Sequence, residues 1–296
     1  ALVGCGLADR APDHPLPGPN TQVVLLGTGT PVPDPDRSGP VVAIVTAGRA
    51  YLVDMGPGVV RRAEAARRLG IGALSPALLD RVFVTHLHSD HTAGFPDLWL
   101  SPWVIGRNTP LHVHGPRGLA NMSDHMQQAW SADVKMRIGG LEEQEPEGAG
   151  LEVHEITADG LIYEDDAVKV SALSVSHGSW EHAYGYRFET PDRVIVVSGD
   201  TAPSQAVIDA CSGCDVLVHE VYSEAAWSRF RDPERDYHGS FHTSTVELAR
   251  LAAEAKPKKL VLYHQLYMGA SDDYLVGEIK ALWDGEVISG VDLGVY

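Results

Sequence analysis

The chain has 296 residues, 44% hydrophobic and 21% charged, enough to bury the core of one large or two modest domains. No stretch approaches the run of about 18 apolar residues that reads as a membrane span. With 40 acidic against 23 basic residues, the formal net charge is −17 at pH 7, a field that repels polyanions, so no nucleic-acid partner is expected.

At the start of the chain, Leu2-Val3-Gly4-Cys5 matches the pattern at which a bacterial lipoprotein leader is cut before an acylated cysteine. The Pro-rich stretch 11–20 then reads as a tether. The expectation is a leader stub and tether over 1–20, followed by a single folded domain over 21–296. It places the protein outside the cytoplasm, periplasmic or lipid-anchored through Cys5, and in the cytoplasm if that match is fortuitous. The other cysteines, Cys211 and Cys214, are spaced C-x-x-C at a helix-to-strand junction. With no second pair and no redox-domain pattern, this reads as chance spacing, or as a local disulfide in an exported protein.

Short apolar runs predict strands at 23–26, 41–45, 51–53 and 81–84, with a helix over 59–69 after the breaker Gly56-Pro57-Gly58. A strand at 111–114 and mostly helix over 119–136 follow, then an acidic, Gly-rich loop over 139–150. Further strands are expected at 152–156, 168–174, 184–188 and 194–197. The last third alternates helix 204–210, strand 216–218, helix 245–255, strand 260–262 and helix 273–282. Strands first, then strand and helix in alternation with no mid-chain linker, indicate a mixed α/β domain.

The chemistry concentrates where strand 81–84 ends, in His86-Leu87-His88-Ser89-Asp90-His91. Two histidines spaced by two can face one side of a loop and share a metal, while Asp90 and His91 face elsewhere and can hold a second ion. Imidazole nitrogen and carboxylate oxygen are the donors that zinc accepts. Three histidines and an aspartate in six residues after a buried strand are hard to read as ordinary surface residues.

This H-x-H-x-D-H cluster resembles the signature of the metallo-β-lactamase superfamily, within it the ribonuclease Z and arylsulfatase-like branch. The match continues through Gly27-Thr28-Gly29-Thr30, Asp54-x-Gly56-Pro57-Gly58 and His114-Gly115-Pro116-Arg117-Gly118. It extends to Ser176-His177-Gly178, Ser198-Gly199-Asp200-Thr201, His219-Glu220, Phe241-His242-Thr243-Ser244 and Tyr263-His264. The resemblance implies a four-layer αββα sandwich, two mixed β-sheets flanked by helices. It implies two zinc ions, with Mn²⁺ or iron as alternatives: His86, His88 and His177 on the first, Asp90, His91 and His264 on the second, Asp200 bridging. It also implies hydrolysis by a metal-bound hydroxide, with Asp90 orienting or deprotonating the water. Glu220 and His242 then help protonate the leaving group, or Glu220 only orients His242. Ser244-x-x-Glu247 is a capping box, so His242 should precede a helix N-terminus, where a neighbouring carboxylate would raise its pKa.

For substrate, only Glu189 to Arg193 separates two strands where ribonuclease Z enzymes carry a tRNA-grasping arm. With the acidic charge, this favours a small anionic ester, an aryl sulfate or phosphodiester, over tRNA 3′-processing. A lactonase or β-lactamase is the alternative, with Trp99, Trp103 and Trp180 near the mouth to suit an acyl group; an iron oxidoreductase or a non-catalytic metal protein ranks last. A homodimer is also an expectation from the resemblance. His112 and His114 fit no ligand pattern, His154 reads as solvated, and His219 points away from the site.

Overall fold

The computed structural model describes residues 21–296, so the acylation pattern at Cys5 and the tether lie outside the described residues. Two β-sheets pack face to face. The first runs β1 (Gln22–Gly27), β2 (Val41–Thr46), β3 (Arg49–Val53), β4 (Arg81–Phe83), β5 (Leu111–Gly115) and β6 (Leu151–Glu155) in that spatial order. β1 to β3 are antiparallel hairpins, and β3 to β6 are parallel. The second comprises β7 (Gly160–Glu164), β8 (Lys169–Ser174), β9 (Tyr184–Glu189), β10 (Val194–Val197), β11 (Val216–Tyr222), β12 (Leu260–Leu266) and β13 (Val287–Ser289). It is an antiparallel meander as far as β10 and parallel beyond.

Strand β2 shows how the sequence makes layers. Its six residues, VVAIVT, are all buried, because both faces are covered. Val42 and Ile44 point between the sheets, where Phe83, Tyr186, Phe188 and Val218 meet them. Val41, Ala43 and Val45 point the other way, into an apolar layer beneath α1 (Val59–Arg68) and α3 (Phe95–Val104), which flank the short α2 (Ser89–Thr92) in sequence. Beyond β5 follow α4 (Leu119–Ala129) and α5 (Ser131–Gly139). The second sheet carries α6 (Gln205–Cys211), α7 (Glu224–Trp227), α8 (Asp232–Phe241), α9 (Thr245–Ala255) and α10 (Asp272–Lys280). Of these, α6, α9 and α10 bury Val207, Leu248, Leu251, Leu275 and Ile279 on its outer face. The result is the expected αββα sandwich.

The stretch 119–136 is mostly helical as expected, as two helices that meet at Trp130. Other expectations change. Trp99 and Trp103 do not line a mouth. Both are buried one turn apart on α3, and their indole N–H groups donate to Ala149 O and Glu145 O. A tryptophan pair at i, i+4 suits a core face as well as a pocket, and the core takes it here. The C-x-x-C spacing is no accident either: Cys211 and Cys214 are disulfide-bonded and buried where α6 gives way to β11.

Candidate metal centre

Parallel strands end together at one edge of the sandwich, and the loops that leave them carry the reactive side chains. β4 continues through Val84-Thr85 to His86, His88, Asp90 and His91. Asp200 lies just past the end of β10, and β11 carries Glu220. His264 lies within β12 at a register shift, where Glu220 pairs with Tyr263 but Val221 pairs with Gln265. His264 is the extra residue of that bulge, with φ +45°, a conformation in which a strand side chain is re-aimed. His177 lies between β8 and β9. Gly178 after it takes φ +53°, and any Cβ there would stand 2.1 Å from the Phe241 ring, so that ring and His177 can approach only over glycine.

The ligand candidates converge. His86 Nε2 is 2.9 Å from His88 Nδ1, which is 3.1 Å from His177 Nε2. His264 Nε2 is 3.2 Å from Asp90 Oδ2, and His91 Nε2 is 3.5 Å from the same oxygen. Asp200 Oδ2 lies between the two sets, 3.3 Å from His91, 3.4 Å from His264 and 4.0 Å from His86. Ligands at about 2.0–2.2 Å around a tetrahedral ion stand roughly 3.3–3.6 Å apart, so these spacings suit metals. Buried His91 Nε2 and Asp200 Oδ1 have no hydrogen-bond partner among the described residues, as donors awaiting an ion would not. The residues present therefore fit a pair of metal ions.

The outer nitrogens are tied down. His177 Nδ1 donates to Phe241 O at 2.8 Å. His86 Nδ1 meets Thr85 Oγ1 at 2.9 Å, and that hydroxyl donates onward to Asp54 Oδ2 at 3.0 Å. His91 Nδ1 donates to the same Asp54 oxygen at 2.8 Å, while Asp54 Oδ1 accepts the Thr85 backbone N–H at 2.7 Å. With the proton assigned to Nδ1 by these partners, Nε2 of all three histidines presents its lone pair inward. Asp54 is the organiser that sequence reasoning missed as a site residue. It is buried and holds φ +64°, tolerable for aspartate, where β3 turns toward α1. The Asp54-x-Gly56-Pro57-Gly58 pattern marked the turn but not its task.

Electrostatics agree with that wiring for His86 and His177. Burial lowers His86 well below its ordinary value and brings His177 down to about 4, so both are neutral imidazoles at pH 7. Burial opposes charge on His91 too, yet Asp200 and Asp54 outweigh it and raise His91 well above the ordinary range. Asp200, although buried, is held well below it by His264 and His91.

Beside this cluster, Glu220 Oε2 stands 3.3 Å from His242 Nδ1, off the angle of a hydrogen bond, and its Oε1 accepts the Thr243 N–H at 2.7 Å. Ser244 caps α9 with Glu247 as expected, and His242 precedes that cap. The expected rise in the His242 pKa does not occur: burial lowers it, while burial and Asp200 raise Glu220 well above the carboxylate range. His219 faces away as expected, its Nδ1 against its own neighbour's carbonyl oxygen at 2.7 Å. Trp180 is the one tryptophan of the three at the site, its indole N–H donating to His88 Nε2 at 2.8 Å. With Phe241, 4.9 Å from His177, and Tyr237, 4.6 Å from Phe241, it walls one side. On another side a cleft of 710 Å³ opens between the 30–39 loop and Asp90.

The model of the β-lactamase superfamily domain matches residues 49–265, a span that contains every side chain of this centre. The chain belongs to the metallo-β-lactamase superfamily. It is 36% identical over 249 residues to ribonuclease Z of Mycobacterium marinum, covering 82% of this chain and 85% of that one. To ribonuclease Z of Mycolicibacterium paratuberculosis it is 32% identical over 279 residues, 92% and 95% of the two chains. Among solved structures, the metallo-β-lactamase fold protein YhfI of Bacillus subtilis superposes with TM-score 0.72 at 18% identity, covering 93% of this chain and 98% of that one. Human tRNase Z, short form, does so with TM-score 0.67 at 22% identity, with the same coverage, and both likenesses concern the fold. The protein is a hydrolase of this superfamily, and its relatives fit the ribonuclease Z branch.

These relatives overturn two expectations. A small anionic ester was placed ahead of tRNA, and no nucleic acid was expected, yet relatives along most of the chain are named for a ribonuclease. Two physical facts account for the difference. Net charge is a sum over the whole surface and says little about one cleft. The short turn at 190–193 between β9 and β10 removes one means of gripping RNA, not the chemistry that cuts it.

Proposed function

We propose that this protein is a two-metal endoribonuclease of the ribonuclease Z type that cleaves tRNA precursors beyond the 3′ end of the mature sequence. What carries the reading is the 36% identity to a ribonuclease Z over 82% of the chain. In this reading His86, His88 and His177 hold one ion, Asp90, His91 and His264 the other, and Asp200 lies between them. Zinc is the ion that this nitrogen-rich set suits best. When bound, such a pair supplies a nucleophilic water at neutral pH and stabilises charge on the phosphoryl oxygens.

The chain's own residues do the rest. Asp54 and Thr85 keep His86 and His91 in the tautomer that faces inward. Asp90 is placed to orient the attacking water as well as to bind metal. As oxygen adds to phosphorus and the P–O bond to the leaving ribose oxygen breaks, that oxygen needs a proton. In this reading the Glu220–His242 pair, 3.3 Å apart beside the metal ligands, gives it. Trp180, Phe241 and Tyr237 offer stacking faces for bases beside the scissile bond, a grip that needs no positive charge.

The test uses zinc-loaded protein, a 3′-extended precursor tRNA and an unstructured RNA of equal length. A single cut in the precursor, absent with Asp200→Ala, is the expected outcome. No cut in the precursor by protein that still hydrolyses an aryl phosphodiester would defeat the proposal.

A further inference from the structure

Away from the metal centre, strands β5 and β6 run parallel in register, with His112 opposite Glu152 and His114 opposite His154. Residues alternating along paired strands share a face, so all four side chains lie on one patch beside the open edge of the first sheet. His112 Nδ1 is 3.2 Å from Glu152 Oε2. The His112 and His154 rings are near parallel, 9° between planes with centroids 6.1 Å apart. One donor atom from each of His112, Glu152 and His154 lies within 4.8 Å of the others.

We propose that His112, Glu152 and His154 form a third metal site, for a divalent transition ion such as Zn²⁺ or Cu²⁺. Two imidazoles and one carboxylate are the donor set such ions prefer over Mg²⁺ or Ca²⁺. The ligands are pre-positioned, because they stand on two hydrogen-bonded strands rather than on loops. His114 backs the site, stacked on His154 at 4.4 Å and on Phe83 at 5.0 Å. The neighbouring cation is already engaged: Arg81 lies over the Tyr163 ring at 4.4 Å and donates to its hydroxyl.

The site is separate from the catalytic cluster. His112 pairs with Arg81, five residues before His86. At about 3.3 Å per residue, the two sites are on the order of 16 Å apart along the strand direction. An ion here would pin the edge strand β6 to β5 and close that end of the sandwich. The inference does not depend on the ribonuclease reading.

The experiment is equilibrium dialysis of the chelator-stripped full chain against ZnCl₂, with zinc per chain measured in wild type and in a His112→Gln/His154→Gln variant. The expected result is one zinc fewer in the variant, whatever number the catalytic centre holds, with unchanged cleavage activity. Equal stoichiometry overturns the proposal. Should the double variant fold poorly, Glu152→Gln on its exposed side chain serves instead, with the weakest zinc loosened tenfold or more. An unchanged third affinity there refutes the site equally. Cu²⁺ added to wild type should give an electron paramagnetic resonance signal with coupling to two imidazole nitrogens, which the double variant lacks.

Discussion

Replacing Asp54 by asparagine changes one atom of an organising carboxylate. Asp54 Oδ1 accepts the Thr85 N–H, which fixes the amide oxygen of an asparagine at that position. Its NH₂ then replaces Oδ2, which now accepts from Thr85 Oγ1 and His91 Nδ1. A donor facing His91 Nδ1 forces the ring proton onto Nε2, the nitrogen that faces Asp90 and Asp200. The same change reverses the Thr85 hydroxyl that receives His86 Nδ1, so both ion positions are affected. Removal of such an outer partner typically costs 10–100-fold in metal affinity, about 1.4–2.7 kcal/mol, and a reversed tautomer belongs at the upper end. Shape is conserved, so the fold should survive. Asp54→Ala differs, because it strands buried donors at about 1–3 kcal/mol each and tests stability instead. The assay is competition for zinc against a chromophoric chelator, with circular dichroism as the fold control. Asp54→Asn protein that is folded and binds both ions with wild-type affinity would refute the tautomer argument.

Three further outcomes are expected. Tyr237→Ala should raise KM for precursor tRNA by roughly 5- to 150-fold, from about 1–3 kcal/mol of lost stacking, without slowing turnover of an aryl phosphodiester; equal effects on both substrates would remove the stacking wall. Asp165 accepts from Tyr51 and Tyr163 hydroxyls at 2.7 and 2.8 Å and from two backbone N–H groups, and despite burial these hold its pKa below the ordinary value. A depressed carboxylate stabilises above its unfolded pKa, so Asp165→Asn should cost about 1–3 kcal/mol at pH 7. That cost should shrink as pH falls below about 4 through the folded value; a pH-independent difference in denaturant unfolding contradicts it. Stripping metal should lower Tm, since ligand at 100 times its Kd contributes about 2.7 kcal/mol, and calorimetry showing no shift would mean the centre binds nothing in the folded state.

The mixed α/β class and the clustered ligands were legible because their signals are local, whereas the sandwich followed from the family resemblance. Buried strands announce themselves as VVAIVT or VIVV, and His86 to His91 lie within a single loop. What stayed hidden depends on distant partners. Asp54 acts on His91 across 37 positions of sequence. Helix α8, which carries Tyr237 and Phe241, buries none of its residues and so shows no core-facing stripe. Trp99 and Trp103 were assigned to a mouth because hydrophobicity does not distinguish a pocket from a core. His112, Glu152 and His154 come from two strands 40 residues apart in register, a pairing that no motif spells. The substrate is not legible in the whole-chain charge, because a sum over the surface does not describe one cleft.

The central claim is that two metal ions held by this His/Asp cluster cut RNA. It is tested most directly by adding zinc stepwise to metal-free protein and following single-turnover cleavage of a 3′-extended precursor tRNA. Cleavage should be absent without metal, rise to a plateau as the two tight sites fill, and ignore any further zinc. Cleavage by the metal-free protein, or none at any zinc loading, would contradict the account.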